Sequence, residues 1–205
     1  MSIQISDDAF QLIVTEEDSG ENYYIAHYEH FEWPQGASGP TIGIGYDCGY
    51  VASGQARIDW DGIVDQHTID VILSACGLRG IMAETFVRAH AGEVTITWPQ
   101  ALQEFRSREI PQWIAKVQAD LPNTDKLPPD CLGALVSLSY NRGCSYDLPG
   151  PRYSEMHSIK VHMGTQNFAA IPADILSMQR LWPKGGDLWR RRAHEAALFQ
   201  KGLAA

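Results

Sequence analysis

The chain has no apolar run approaching the roughly 18–20 residues that a helix needs to cross a bilayer, so no membrane span is expected. It also has no basic excess. Lys+Arg number 16 against 25 Asp+Glu, a formal charge of −9. That balance argues against nucleic acid as a partner, because such proteins present a basic face. It provides no long-range attraction to anionic cell surfaces, although a local basic patch remains compatible with it. The four cysteines, Cys48, Cys76, Cys131 and Cys144, form no CxxC pair. A zinc ribbon is therefore not expected, and buried free thiols are preferred over disulfides unless the compartment is oxidising. The opening stretch "MSIQISDDAFQLIVTEE" lacks the basic start, apolar segment and small-residue cleavage site of a signal peptide. Action outside the cytoplasm would then need other export or injection machinery, or release by lysis. Internal repeats, low-complexity tracts and long linkers are missing too.

What remains is an ordinary globular composition, 44% hydrophobic and 20% charged over 205 residues. This suits one large domain or two small lobes sharing a core. The first 55 or so residues are rich in glycine, aromatics and turn formers, and from about Asp59 the pattern becomes mostly helical. Ser6 before Asp7 and Asp8 is a good helix start, with a capping hydroxyl and acids that suit the dipole. In that helix Phe10, Ile13 and Val14 share a face, Glu17 extends it by i+7, and Glu16 points elsewhere. Further helices are expected near 61–76, 79–91, 99–120, 129–141, 154–163, 166–181 and 186–201. The result is an α+β class with residues 1–58 as a small front lobe and 59–205 as a helical lobe, together one domain.

The front segment holds the candidate chemistry. Glu17 ends an apolar face, and apolar surroundings raise a carboxyl pKa toward what a general acid requires. The same residue could instead cap the helix end or pair with an arginine, and spacing alone does not choose. Downstream, "GASGPTIGIGYDCGY" (36–50) packs five glycines around Thr41 and Asp47. Glycine within a strand marks a bulge, a bend or the close approach of another molecule. Alternation puts Thr41, Gly43, Gly45 and Asp47 on one face and Ile42, Ile44 and Tyr46 on the core face. A fully extended strand would hold Thr41 and Asp47 about 20 Å apart, so the chain should fold back or kink at the glycines. Taken alone, this favours a tight hairpin in which Asp47 hydrogen-bonds its own turn. Two carboxylates across a cleft, one apolar and one solvated, are the minimum for glycoside hydrolysis. A hydroxyl such as Thr41 could position the attacking water, and one or two of Tyr23, Tyr24, Tyr28, Phe31 and Trp33 could face sugar rings.

Other signals carry less. Gly43, Gly45 and Gly49 lack dinucleotide-fingerprint spacing and open no nearby helix, so no cofactor is expected. His27 and His30 form an i, i+3 pair without a further ligand set, and no metal is expected. "WRRR" (189–192) could grip carboxylates, but pairing with Glu195 and neighbouring acids is the preferred reading. Asn141 lines a cleft or caps the "NRG" helix stop, with equal support.

"EEDSGENYY" followed by "SGPTIGIGYDCGY" resembles the front lobe of T-even phage-type lysozymes, glycoside hydrolase family 24, and is more similar still to pesticin-type lysozyme-like activity domains. "LGALVSLSYNRG" (132–143) resembles the family's buried helix, and "LWPKGGDLWRRRAHEAALF" (181–199) its C-terminal helix, so the likeness spans almost the whole chain in order. The resemblance implies a lysozyme-like fold and cleavage of the β-1,4 bond between N-acetylmuramic acid and N-acetylglucosamine in peptidoglycan. It places the general acid on Glu17 and the family threonine on Thr41 and preserves the seven-residue step to Tyr24; with the glycines leaving room for a glycan strand, Tyr24, Gly43, Gly45 and Asn141 are the expected substrate-binding positions. In the phage enzymes the catalytic aspartate precedes the threonine, where this chain offers only Glu29 and Glu32. In pesticin-type domains it follows by six residues, which selects Asp47, with Glu32 in reserve. The implied setting is the cell wall, as an endolysin, a bacteriocin or an injected antibacterial effector. The implied partners are glycan strands and, for a toxin, an immunity protein. The alternatives are a catalytically inactive lysozyme-like binding module and a metal-dependent hydrolase using His27 and His30.

Overall fold

Ser6 starts the first helix as its sequence predicts, its Oγ accepting the Ala9 N–H at 3.1 Å. The computed structural model describes residues 4–18 and 20–205. In chain order the helices are α1 (Asp7–Asp18), α2 (Glu21–His27), α3 (Ser53–Trp60), α4 (Gln66–Ala75), α5 (Ile81–Ala89), α6 (Trp98–Glu104), α7 (Ile110–Asp120), α8 (Pro129–Arg142), α9 (Ser154–Thr165), α10 (Ile171–Ser177) and α11 (Asp187–Leu203). A π-helical turn, Phe105–Glu109, links α6 to α7. Strands β1 (Thr41–Ile42) and β2 (Tyr46–Asp47) pair antiparallel. The fold is therefore broadly α+β: mostly helical, with one small sheet among the described residues. No helix is long and apolar enough to cross a membrane, among the described residues.

The chain divides into two compact units, the first made of residues up to Glu16 with Pro111–Ala205, the second of Glu17–Ile110. The core of the first unit follows from α8 and α11. Leu132, Leu135, Val136 and Leu138 on α8 are fully buried, as their near-continuous apolar run requires. From α11, Arg191 and Arg192 are buried as well, against Glu195. Arg191 Nε donates to Glu195 Oε1 at 3.1 Å, Arg192 Nε lies 3.0 Å from Oε2, and the Ser137 hydroxyl donates to Oε1 at 2.7 Å. Buried charge is tolerated only when paired and hydrogen-bonded in this way. Two of the three arginines in "WRRR" are thus structural, and the third, Arg190, pairs with Asp187 at 2.5 Å on the surface.

In the second unit the four helices after the hairpin wrap a core containing Trp60, Ile72, Ala83 and Ile96. Tyr46 meets the Trp60 ring edge-on at 5.4 Å. Thr97 and Gln100 open α6 at the "TWPQ" start, the Gln100 side chain accepting the Thr97 N–H at 2.9 Å. Most expected helices are present within a few residues, with three differences. The segment 166–181 is one α-turn stretch, α10, between two 3-10 turns. The helices α2 and α3 were not expected. The first is seven residues long and starts at Gly20 (φ 95°) without a capping side chain. The second buries Ala56, Asp59 and Trp60, and an acid on the buried face hides the amphipathic pattern.

Candidate functional site

Within the second unit, the end of α1, the segment after α2 and the β1–β2 hairpin converge on one cavity of about 260 Å³. Its walls are Glu17, Tyr28, Glu32, Pro34, Thr41, Gly43, Gly45 and Asp47. The hairpin explains how residues six apart can share it. Thr41 pairs with Asp47 and Ile42 with Tyr46, leaving three loop residues in which Gly43 (φ 63°) and Gly45 (φ 72°) occupy the left-handed region. Only glycine enters that region without steric cost, so the glycines fold the chain back as well as line the cavity. Ile42, Ile44 and Tyr46 are buried as expected.

A further ladder contact adds Glu32. Its N–H donates to Thr41 O at 2.9 Å, and the Thr41 N–H donates to Glu32 O at 2.8 Å. Directly opposed residues of antiparallel strands share a face with Cβ atoms about 4.5–5.5 Å apart. Thr41 therefore has Glu32 on one side and Asp47 on the other, all on the cavity face. In the sequence Glu32 stands out only as a substitute for Asp47. The bridge that brings it into the site joins a non-repetitive segment to a two-residue strand, which no periodicity announces.

Each side chain is held differently. Asp47 Oδ1 accepts the N–H of Gly39 at 3.0 Å and of Gly49 at 2.9 Å. Its Oδ2 accepts nothing among the described residues. Thr41 is buried, and its hydroxyl donates to Gly39 O at 3.3 Å. Glu17 is half-buried. Burial pushes the Glu32 carboxyl above the ordinary glutamate value, with His27 partly opposing the shift. Glu29 does not line the cavity.

Behind the carboxylates the backbone is close-fitting. A Cβ on Gly39 would lie 2.3 Å from Gly49 N and 2.5 Å from Asp47 Oδ1. Gly39→Ala is accordingly expected to cost about 1–3 kcal/mol, the usual range for overpacking, and to displace Asp47. Urea unfolding of the variant measures the first effect, and unchanged stability would show that the loop yields freely.

Tyr24 is a correction. It is fully buried, its hydroxyl donates to Ile96 O at 2.7 Å, and its ring rests 5.1 Å from Trp98. With ring and hydroxyl both engaged it packs the unit, and the cavity's tyrosine is Tyr28. Phe31 packs edge-on against Phe86 at 5.4 Å. His27 and His30 each use Nδ1 on a backbone carbonyl, of Tyr23 at 3.0 Å and Val94 at 2.8 Å. Among the described residues no three His, Cys, Asp or Glu side chains gather as a metal-ligating group. The four cysteines are free thiols. Asn141 belongs to the first unit, where its Oδ1 accepts from Arg192 Nη2 at 3.1 Å and the positive φ of Gly143 (71°) ends α8.

A glycine-turned hairpin, three carboxylates and one threonine thus line a single cavity. Compared with protein-family models the chain matches none, and comparison with curated proteins likewise gives no match.

Proposed function

We propose that the chain is a peptidoglycan muramidase, a glycoside hydrolase cleaving the bond between N-acetylmuramic acid and N-acetylglucosamine. The observation that carries this reading is the presence of Glu17, Thr41 and Asp47 on the walls of one cavity. Those are the residues on which the likeness to phage-type and pesticin-type lysozymes places the catalytic roles. Glu17 protonates the leaving glycosidic oxygen. The Thr41 hydroxyl proton is committed to Gly39 O, so its oxygen is left to accept from water. Asp47 Oδ2 is open in the same way. A water donating to both presents its lone pair to the anomeric carbon, and Asp47 takes the proton as attack proceeds. Alternatively Asp47 stabilises the cationic transition state. A water lodged between sugar and carboxylate inverts the anomeric centre, whereas direct attack by Asp47 retains it. The anomer formed first decides between them. The setting that fits is the bacterial cell wall, reached as an endolysin, bacteriocin or injected effector, with an immunity protein in any producer cell.

The test is release of reducing ends from purified peptidoglycan. Muramic-acid ends are expected. A folded protein that binds the wall and releases none is a binding module instead.

A further inference from the structure

The first unit has a cavity of its own, about 150 Å³, lined by Asn141, Arg142, Arg152, Tyr153, Trp182 and Leu188. Its charge is unbalanced. Arg142 Nη2 donates to Arg152 O at 2.8 Å, but Arg142 Nε and Nη1 are out of solvent without an acceptor among the described residues. Its guanidinium lies 5.9 Å from the Tyr153 ring centre and 5.4 Å from that of Trp182. Arg192, hydrogen-bonded to Asn141, lies 5.5 Å from the same Trp182 ring.

The acids that act on these arginines are already engaged. Glu155 is held by Arg180 through Nε at 2.5 Å and Nη2 at 2.9 Å, and also accepts from Ser154 and Ser177. Glu195 is shared by Arg191 and Arg192. The Arg152 side chain has no acidic partner among the described residues. Burial, with the charges of Arg152 and Arg180, lowers the Arg142 pKa, and Glu155 opposes the shift. A chain with nine more acids than bases has here left two guanidinium groups beside a cavity with no carboxylate of their own.

We propose that this cavity binds the carboxylate of a small organic ligand, with Arg142 and Arg152 on the anion and Tyr153, Trp182 and Leu188 against its hydrocarbon part. Guanidinium groups form the strongest hydrogen bonds with ionised oxygens. The apolar walls favour a carboxylate on a carbon stem over an anion that is polar on all sides. The inference concerns the first unit alone and does not rest on the glycosidase reading.

Titration of the whole protein with N-acetylalanine, followed by two-dimensional NMR, tests it. Neutral N-acetylalanine methylamide and inorganic phosphate serve as comparisons. Saturable shifts confined to residues around 141–153 and 182–188 are expected with N-acetylalanine and absent with the amide. Arg152→Gln, on an exposed side chain, is expected to weaken binding about tenfold, the loss of one charge-assisted contact. Arg142→Lys, which keeps the charge and loses the planar fork, is expected to weaken it as well. Phosphate binding as tightly as N-acetylalanine would overturn the assignment to a carboxylate. Absence of saturable shifts, or shifts unchanged in Arg152→Gln, would overturn the site. Muramidase activity measured on the same samples keeps the two readings separate.

Discussion

Glu17→Gln is expected to reduce release of muramic-acid ends by roughly 10²–10⁴-fold, the usual worth of a positioned general acid, with the protein still folded. Glutamine keeps the shape and loses only the transferable proton. The residue sits at the end of α1, beyond the buried face of Phe10, Ile13 and Val14, so the apolar packing of that face is unchanged by the substitution. Asp47→Asn is expected to cause a loss of similar size, but with a structural component. Asp47 Oδ1 accepts two backbone N–H groups, and the asparagine amide must keep its oxygen there and turn its NH₂ toward the cavity. That orientation presents a donor where the water needs an acceptor. A circular dichroism melt close to that of the wild type, with activity lost, separates chemistry from folding.

Glu32→Gln discriminates between two arrangements of the three carboxyls. Burial already favours the neutral form of Glu32, and glutamine imitates that form. If Glu32 acts as a neutral donor beside Thr41, the variant keeps activity within a few-fold in mild acid, and the difference widens only where the wild-type carboxyl ionises. If Asp47→Asn retains full activity and Glu32→Gln does not, the base is Glu32 and the assignment of Asp47 fails. Full activity in all three variants would remove the cavity from the reaction.

The sequence made the hairpin legible because two independent constraints agreed there. Alternation put Thr41 and Asp47 on one face, and the glycines supplied the left-handed backbone that lets the chain turn back between them. The α1 face was legible for the same reason, a clean 3.6-residue period from Phe10 to Val14. Tyr24 was placed at the substrate by the resemblance and by its position in an aromatic run, and neither signals that its hydroxyl meets Ile96 O, 72 residues away. Glu32 was undervalued because its place depends on an isolated bridge to Thr41, a tertiary pairing without a local pattern. The arginines of "WRRR" fell to the expected partner, Glu195, since i+3 and i+4 spacing is a local constraint. Their complete burial was not a local property. Local periodicity survives folding, whereas long-range hydrogen bonds are decided by the packing that creates them.

Glu104→Gln is expected to change how stability depends on pH. Glu104 is the last residue of α6, 1% exposed, and its Oε1 has no hydrogen-bond partner among the described residues. Burial first, then repulsion from Glu109 and Asp59, raise its pKa to about 9, with Arg108 opposing. Asp59 is equally enclosed, accepting from the Tyr46 hydroxyl at 2.9 Å and Gln55 Nε2 at 2.7 Å. Between the ordinary glutamate value of 4.5 and about 9, the folded protein keeps a proton that the unfolded chain releases. The contribution is complete below the lower value and declines by about 1.4 kcal/mol per pH unit above it, until the folded carboxyl also ionises. Glutamine is neutral throughout and carries no such slope. The stability of the variant relative to the wild type should therefore rise by about 4 kcal/mol from pH 5 to pH 8 in paired urea titrations. Parallel stability curves would mean that Glu104 reaches solvent or a partner when ionised. The effect bears on the site because Tyr46 adjoins Asp47 on β2 and is anchored by Asp59, one of the charges acting on Glu104. Ionising Glu104 at high pH would place a second negative charge beside Asp59, beneath the strand that carries Asp47. Alkaline loss of activity that Glu104→Gln relieves, with Glu17 and Asp47 unaltered, would trace the disturbance to that buried carboxyl.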